Sequence, residues 1–399
     1  MRVLQDKYNR GTGGNRAPIS SMRERGIALM LVLGFIFILG VLAAGYAASM
    51  KVEGILARKA GAQTDVEWLC RSGVEITKYI LNQQYADPEE AYESLNQIWA
   101  GGPGTTNGFN LLLESISLTN SAWGDDSVLG LLYPEEDPGE DVRCSIEIVD
   151  MERKYNINWA AQEKATKFPL EMAFELMGVD VSLKDELIDC IMDWYDEDDI
   201  TRLSGVESEH YQRLGYTSKN GPIDDLKELL LIKGITPKMF WGNSANQLEG
   251  TGRTSTTVEG EEEEPDYAFG LVELFTPFSA GKININTASS EVLQLIPRMD
   301  PNRVQFIMDY RVGDDGIDGT WDDTPFSTIT GNPRSNNTHS LQEIFQGSVS
   351  AVAPYVTVRS ATFEVTVTAE MRGLQRTLVT VIQWDNEEKE FRIIYNYWK

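Results

Sequence analysis

The sequence predicts an α+β protein with a long N-terminal helix, an antiparallel sheet, and a large all-α domain inserted between strands of that sheet. Three observations carry this. The 24 residues Ile27–Met50 contain no charge. Alternating β-branched and aromatic runs occur around "CSIEI" and again at the C-terminal end. Between these strand signals lies a long stretch with helical patterning and helix-start residues.

The apolar run comes first. At about 1.5 Å per residue it makes about 36 Å of helix, enough to cross a hydrocarbon core of about 30 Å. The apolar segment of a secretory signal is typically about 7–15 residues, so this run is too long for one. The small residues of "AAGYAAS" leave a removed signal as the alternative. The helix continues past Met50, because Val66, Leu69, Gly73, Ile76 and Ile80 recur at steps of three and four and mark one face. Ahead of Gly26 stand Arg2, Lys7, Arg10, Arg16, Arg23 and Arg25 against Asp6 and Glu24, a net +4. That basic flank favours a cytoplasmic N-terminus and export of the chain beyond the apolar run.

The formal charge of the whole chain is −26, so −30 lies outside the basic leader. Such a surface repels nucleic-acid phosphates and anionic lipid headgroups. A length of 399 residues with 42% hydrophobic residues is ample for two or three packed domains. Cys70, Cys144 and Cys190 are widely spaced and form no CxxC pair; the sequence supports either one disulfide or three buried thiols.

Along the chain, Cys144, Ile146 and Ile148 alternate as a strand that leads into a turn. From Ala160 to about Gly242 the pattern is helical. The stretch "NQLEGTGRTSTTVEGEEEEPDY" is polar and acidic with almost nothing to bury, which marks a linker at 243–268; its run Glu261–Glu264 is solvated. The chain also repeats itself. "KYNINWA" at 154–160 returns as "KININTA" at 282–288, "IMDWYDEDD" at 191–199 as "IMDYRVGDDG" at 307–316, and "LKELLLI" at 226–232 as "LQEIFQG" at 341–347. Three echoes in one order indicate two copies of a helical unit, each opened by an Asn-Ile-Asn step that satisfies turn backbone groups. The last runs, "ATFEVTVTAEM", "RTLVTVIQW" and "FRIIYNYW", predict three antiparallel strands. The expected organisation is a leader at 1–26, a membrane-spanning part at 27–50, and the helix continuation with the first part of the α+β domain at 51–155. The inserted helical domain covers 156–351, as units 156–242 and 282–350, and C-terminal strands at 352–399 complete the sheet.

Two histidines, His210 and His339, occur without an HExxH, GxSxG or P-loop pattern, so no catalytic constellation can be assembled. The acidic clusters suggest a metal instead. Calcium takes six to eight oxygen ligands and needs several carboxylates on turning backbone. "DWYDEDDITRLSGVE" offers Asp193, Asp196, Asp198, Asp199 and Glu207 at a helix end and its loop. Asp196, Asp198 and Glu207 fit places one, three and twelve of an EF-hand loop, but Ile200 and Thr201 stand where an oxygen ligand and glycine belong. "GDDGIDGTWDDT" offers Asp314, Asp315, Asp318, Asp322 and Asp323 as a second, weaker candidate. The alternative for both is a solvated acidic face.

These stretches resemble the large K subunit among the minor pseudopilins of the bacterial type II secretion system. The resemblance rests on "RERGIALMLVLG", "YNINWA", "DWYDEDDITRLSGVESEHY", "NGPIDDLKELLLIKGITPKMF" and "GKININTASSEVLQLI". It implies a non-enzymatic, pilin-like protein. A prepilin peptidase would cut after Gly26, the new N-terminal Ile27 would be methylated, and the apolar helix would stay in the inner membrane with the bulk in the periplasm. Most pilins carry a glutamate five residues into the mature chain; here Leu31 stands there, as is typical of K subunits placed at a fibre tip. The implied partners are the I and J minor pseudopilins and the major pseudopilin, with calcium in the helical domain. Two rivals share parts of the pattern. One is a tip subunit or adhesin of a type IV pilus. The other is a helix-hairpin-helix DNA-binding protein, which "ININTASSEVLQLIPRMDPNRVQFIMDYR" resembles. There, however, the hairpin "IPRMDPNR" lacks the glycines that close phosphate approach requires.

Overall fold

In a computed structural model the described residues are 20–87, 90–102, 143–162, 167–242, 265–330, 340–345, 349–371 and 373–399. The leader 1–19, the linker residues 243–264 and His339 lie outside them. The chain divides into two units, Met1–Thr64 and Asp65–Lys399. Helix α1 (Ser20–Tyr85) contributes to both.

In the first unit, α1 exposes apolar residues on every side from Leu29 to Met50, including Phe35, Phe37, Leu39 and Leu42. Nothing in water rewards such a surface. Among the described residues this is the one helix long and apolar enough to cross a membrane.

In the second unit the remainder of α1 covers one face of a four-stranded antiparallel sheet, β1 (Arg143–Asp150), β6 (Thr362–Met371), β7 (Leu374–Asp385) and β8 (Glu390–Trp398), in the order β1-β6-β7-β8. The three C-terminal strands therefore pair with the earlier "CSIEI" strand. Cys144, Ile146 and Ile148 stand opposite Ala369, Val367 and Val365, and all six are buried against Val66, Cys70 and Val74. Gly73 permits the approach: a Cβ there would lie 2.8 Å from Val367 Cγ1. Cys70, Cys144 and Cys190 are buried free thiols. Burial pushes the Cys144 thiol up to about 12.

More than two hundred residues separate β1 from its partner β6, and they build a second core. Ile157, Leu170, Phe174, Ile191 and Leu229 share it with Ile285, Leu293, Ile307 and Phe326. Its principal helices are α2 (Phe168–Met177), α3 (Val181–Tyr195), α4 (Ser290–Gln294) and α5 (Pro301–Arg311). Each is started by its own cap or proline; Asp180, Ser289 and Asp300 accept amides of the first turn, and Pro169 and Pro301 stand in the first turn of α2 and α5. Tyr267, at the end of the stretch expected to be linker, is buried in this core, so the linker closes before it with an aromatic anchor.

The two Asn-Ile-Asn steps make the same bonds. Asn156 Oδ1 accepts the Asn158 amide (2.9 Å), and Asn284 Oδ1 accepts the Asn286 amide (3.0 Å). Asn158 then clamps Ile223 from both sides, donating to its carbonyl (3.0 Å) and accepting its amide (2.7 Å). Asn286 does the same to Phe326, at 3.0 and 2.8 Å. Each step also lies on or beside a two-residue parallel strand pair, β2 (Tyr155–Asn156) with β3 (Phe275–Thr276) and β4 (Ile283–Asn284) with β5 (Val356–Thr357).

Three buried acids join this helical part to the sheet. Asp150 Oδ2 accepts Thr287 Oγ1 (2.5 Å) and Ser360 Oγ (2.7 Å). Glu152 accepts the Ala280 and Thr362 amides, and Glu93 accepts the Ser360 amide. Burial raises the pKa of all three, that of Glu93 to about 8, so Glu93 holds a proton at neutral pH.

Candidate metal centre

Helix α3 is amphipathic, and its Asp189 and Asp193, with Asp196 at its C-cap, recur at steps of four and three toward the loop that follows. Two of them face inward and hold that loop. Asp189 accepts the Ser204 amide (3.2 Å) and pairs with Lys167 (2.6 Å). Asp193 has a fully buried side chain and accepts both the Arg202 amide (3.2 Å) and Arg202 Nη1 (2.9 Å). Gly205 makes this closeness possible, because a Cβ there would sit 2.0 Å from Asp193 Oδ2. Arg202 Nη1 also contacts Asp196 Oδ2.

The loop brings together part of the expected set. One carboxylate oxygen each of Asp196, Asp198 and Glu207 lie within 4.8 Å of one another, and no other such acidic group occurs among the described residues. Asp193 serves Arg202 instead. Asp199 Oδ1 accepts Asn220 Nδ2 (3.1 Å), and the same amide donates to the Asp198 carbonyl (3.0 Å), tying the loop to the 218–220 turn. Glu207 is 5% exposed; its Oε2 accepts Ser218 Oγ (3.3 Å), while its Oε1 and Asp196 Oδ1 are buried without a hydrogen-bond partner. Burial, with Asp193 and Asp196 nearby, pushes the Glu207 carboxyl up to about 7. Orphaned buried oxygens facing like charges are what a cation would satisfy. The donor set, all carboxylate on turning backbone, suits a hard divalent ion such as calcium.

The second acidic loop is closed on itself. Asp318 forms a two-pronged pair with Arg311 (3.0 and 2.7 Å). Asp322 accepts the Asp314 and Asp315 amides and Thr320 Oγ1, which draws its pKa down to about 2. Asp323 accepts the Gly319 amide (2.7 Å), and Asp315 accepts the Ile317 amide (2.8 Å).

Sequence reasoning missed Arg202, Ser218 and Asn220. The signal for Arg202 was present: it is the one basic residue within "DEDDITRLSGVE".

The first Asn-Ile-Asn unit, with its acidic loop, falls inside residues 153–241, which match the family model described as Type II secretion system (T2SS), protein K. A chain of the crystal structure of the GspK-GspI-GspJ complex from the enterotoxigenic Escherichia coli Type 2 Secretion System has a similar fold. The match has a TM-score of 0.52 and 13% identity, over 86% of this chain and 99% of that one. At that identity the likeness speaks for the fold alone. No curated protein matches the chain by sequence. The resemblance to the K minor pseudopilins thus rests on a domain match and on a shared fold, beside the motifs read from the sequence.

Proposed function

We propose that this chain is the K-type minor pseudopilin at the tip of a type II secretion pseudopilus, where it starts fibre assembly. The observation that carries the reading is the placement of the segment that matches the protein K model: it lies between β1 and β6 of the four-stranded antiparallel sheet, in a chain that also carries an apolar helix long enough to cross a membrane. On this reading prepilin peptidase cuts after Gly26 and Ile27 becomes the methylated terminus; both lie within the helical backbone of α1. The apolar helix holds the subunit in the inner membrane, with its N-terminus in the cytoplasm and its bulk in the periplasm. The role is mechanical, and the partners are the I and J minor pseudopilins and the major pseudopilin. A leucine at position 31 fits a tip position, since an unpaired carboxylate in lipid costs several kcal/mol.

Calcium belongs to the same proposal. Asp196, Asp198 and Glu207 would hold it, supported by the two orphaned oxygens, which Arg202 leaves unpaired and the ion would satisfy. The second loop is left out because four of its aspartates, Asp315, Asp318, Asp322 and Asp323, already serve Arg311, Thr320 and backbone amides.

The test is the mass of the N-terminal peptide of the protein from its host's membranes, together with co-purification of the I and J subunits. A methylated chain beginning at Ile27 that brings both subunits with it is expected. A chain beginning beyond "AAGYAAS" overturns the reading. Loss of pili rather than of secretion in a deletion strain would move it to a type IV pilus tip.

A further inference from the structure

Arg202 occupies an unusual place. Its amide and its guanidinium both bind Asp193, and the same Nη1 reaches across to Asp196 Oδ2. Asp196 is the residue whose other oxygen, Oδ1, is buried and unpartnered within the three-carboxylate group. One arginine is therefore divided between a buried carboxylate that no ion needs and one that the proposed calcium site does need. A second observation points to a ligand there: Glu207, a member of the same group and only 5% exposed, also has a buried oxygen with no hydrogen-bond partner.

We infer that Arg202 is a resident cation of this site: it holds Asp196 in the ion-free loop and yields it when a divalent cation binds, withdrawing onto Asp193. The inference rests on the calcium reading above. The charge logic is direct. Three carboxylates within 4.8 Å repel one another, and one guanidinium at their edge offsets part of that repulsion without satisfying Glu207. An arriving ion must draw Asp196 away from Arg202, so the arginine weakens binding. Asp193 gives the arginine a second carboxylate to keep, which means that exchange does not strand a buried positive charge. Arg202 thereby sets the ion concentration at which the loop fills, and a nearly empty site stays ordered rather than springing open.

The experiment is calorimetric titration of calcium chloride into the chelator-stripped full-length chain in detergent. Wild type is compared with Arg202→Gln, Arg202→Lys and Asp193→Asn, and Glu207→Gln assigns the heat to this site. Arg202→Gln should bind about tenfold more tightly. Arg202→Lys, which keeps the charge but not the planar fork, should fall between. Asp193→Asn removes the alternative partner and should bind more weakly. Wild-type binding that Arg202→Gln leaves unchanged or weakens, at unchanged melting temperature, overturns the inference alone. If Arg202→Gln fails to fold, equal affinities of wild type, Arg202→Lys and Asp193→Asn overturn it. No Glu207-dependent heat in any variant, Arg202→Gln included, removes the calcium reading and the inference with it.

Discussion

Asn158 and Asn286 each clamp one residue of a returning loop by both its amide and its carbonyl, so the two helical units open in the same way. Their acidic loops then diverge. At the end of α5, Arg311 lies buried against Asp318 and against the carbonyls of Ile285 (3.0 Å) and Ala288 (2.6 Å), and Asp315, Asp322 and Asp323 accept backbone amides. After α3, Arg202 is divided between two carboxylates, and two carboxylate oxygens are left without donors. The same frame therefore carries one loop that completes its own electrostatics and one that does not. Acidic composition alone does not make a metal site; unmet acceptors do.

The comparison breaks first if the two arginines prove interchangeable. Arg311→Ala should destabilise the protein by about 3–5 kcal/mol, since it strips three acceptors of their donor and leaves Asp318 alone. Calcium should not rescue it. Arg202→Gln should cost far less, because Asp193 keeps the Arg202 amide, and calcium should restore what is lost. Equilibrium unfolding with and without calcium measures both. Equal losses from the two variants would mean that Arg202 is simply structural.

The paired asparagines sharpen the likeness rather than the difference. Asn286 is 2% exposed and Asn158 is only half-buried, though they make the same two bonds. Asn286→Ala should therefore cost about 2–3 kcal/mol and Asn158→Ala about 1 kcal/mol, because an acceptor and donor stranded away from water are the more expensive. Denaturant midpoints at constant slope read this out. A larger loss at Asn158 would show that the units are not built alike.

Much of this was legible in the chain. The first bond of each Asn-Ile-Asn step acts within two residues, so the repetition of the steps announced itself. The strands were legible from alternation, and the spacing of Asp196, Asp198 and Glu207 from a known loop. The role of Arg202 was not legible: it depends on Asp193, nine positions earlier, being turned inward by α3. The composition of the second loop suggested the chemistry of the first, because nothing in "GDDGIDGTWDDT" says that Asp318 faces Arg311. The Asp150–Glu152–Glu93 cluster was invisible for a further reason, since these donors come from segments scattered between residues 280 and 362.

The pH dependence separates the open loop from the buried cluster. A carboxyl whose pKa is raised on folding stabilises the native state most below its unfolded value and loses that contribution as pH rises through the folded value. For Glu207 the window runs from about 4.5 to about 7, and for Glu93 from about 4.5 to about 8. Ion-free protein should therefore lose stability across this range. Glu207→Gln should remove about 1 kcal/mol of that loss, a discounted figure because the loop is near solvent. It should also abolish any calcium-dependent rise in melting temperature. The decline that remains between pH 7 and 8 belongs to the buried cluster and should vanish in Glu93→Gln. A profile unaltered by Glu207→Gln would mean that the loop's acids are as quiet as those after α5.

The smallest effect belongs to Asp322, whose case has the opposite sign. Two amides and the Thr320 hydroxyl favour its charged form and draw its pKa from 3.8 to about 2. A depressed carboxyl contributes stability above its unfolded value and loses it as pH falls through the folded one. Asp322→Asn should thus leave the melting temperature nearly unchanged at low pH and lower it slightly at neutral pH. The shift should be small because the side chain is exposed to water throughout. Calcium should not alter it in either protein. If it did, the second loop would be binding the ion through Asp322, and the distinction between a loop satisfied by its own amides and one awaiting a cation would have to be given up.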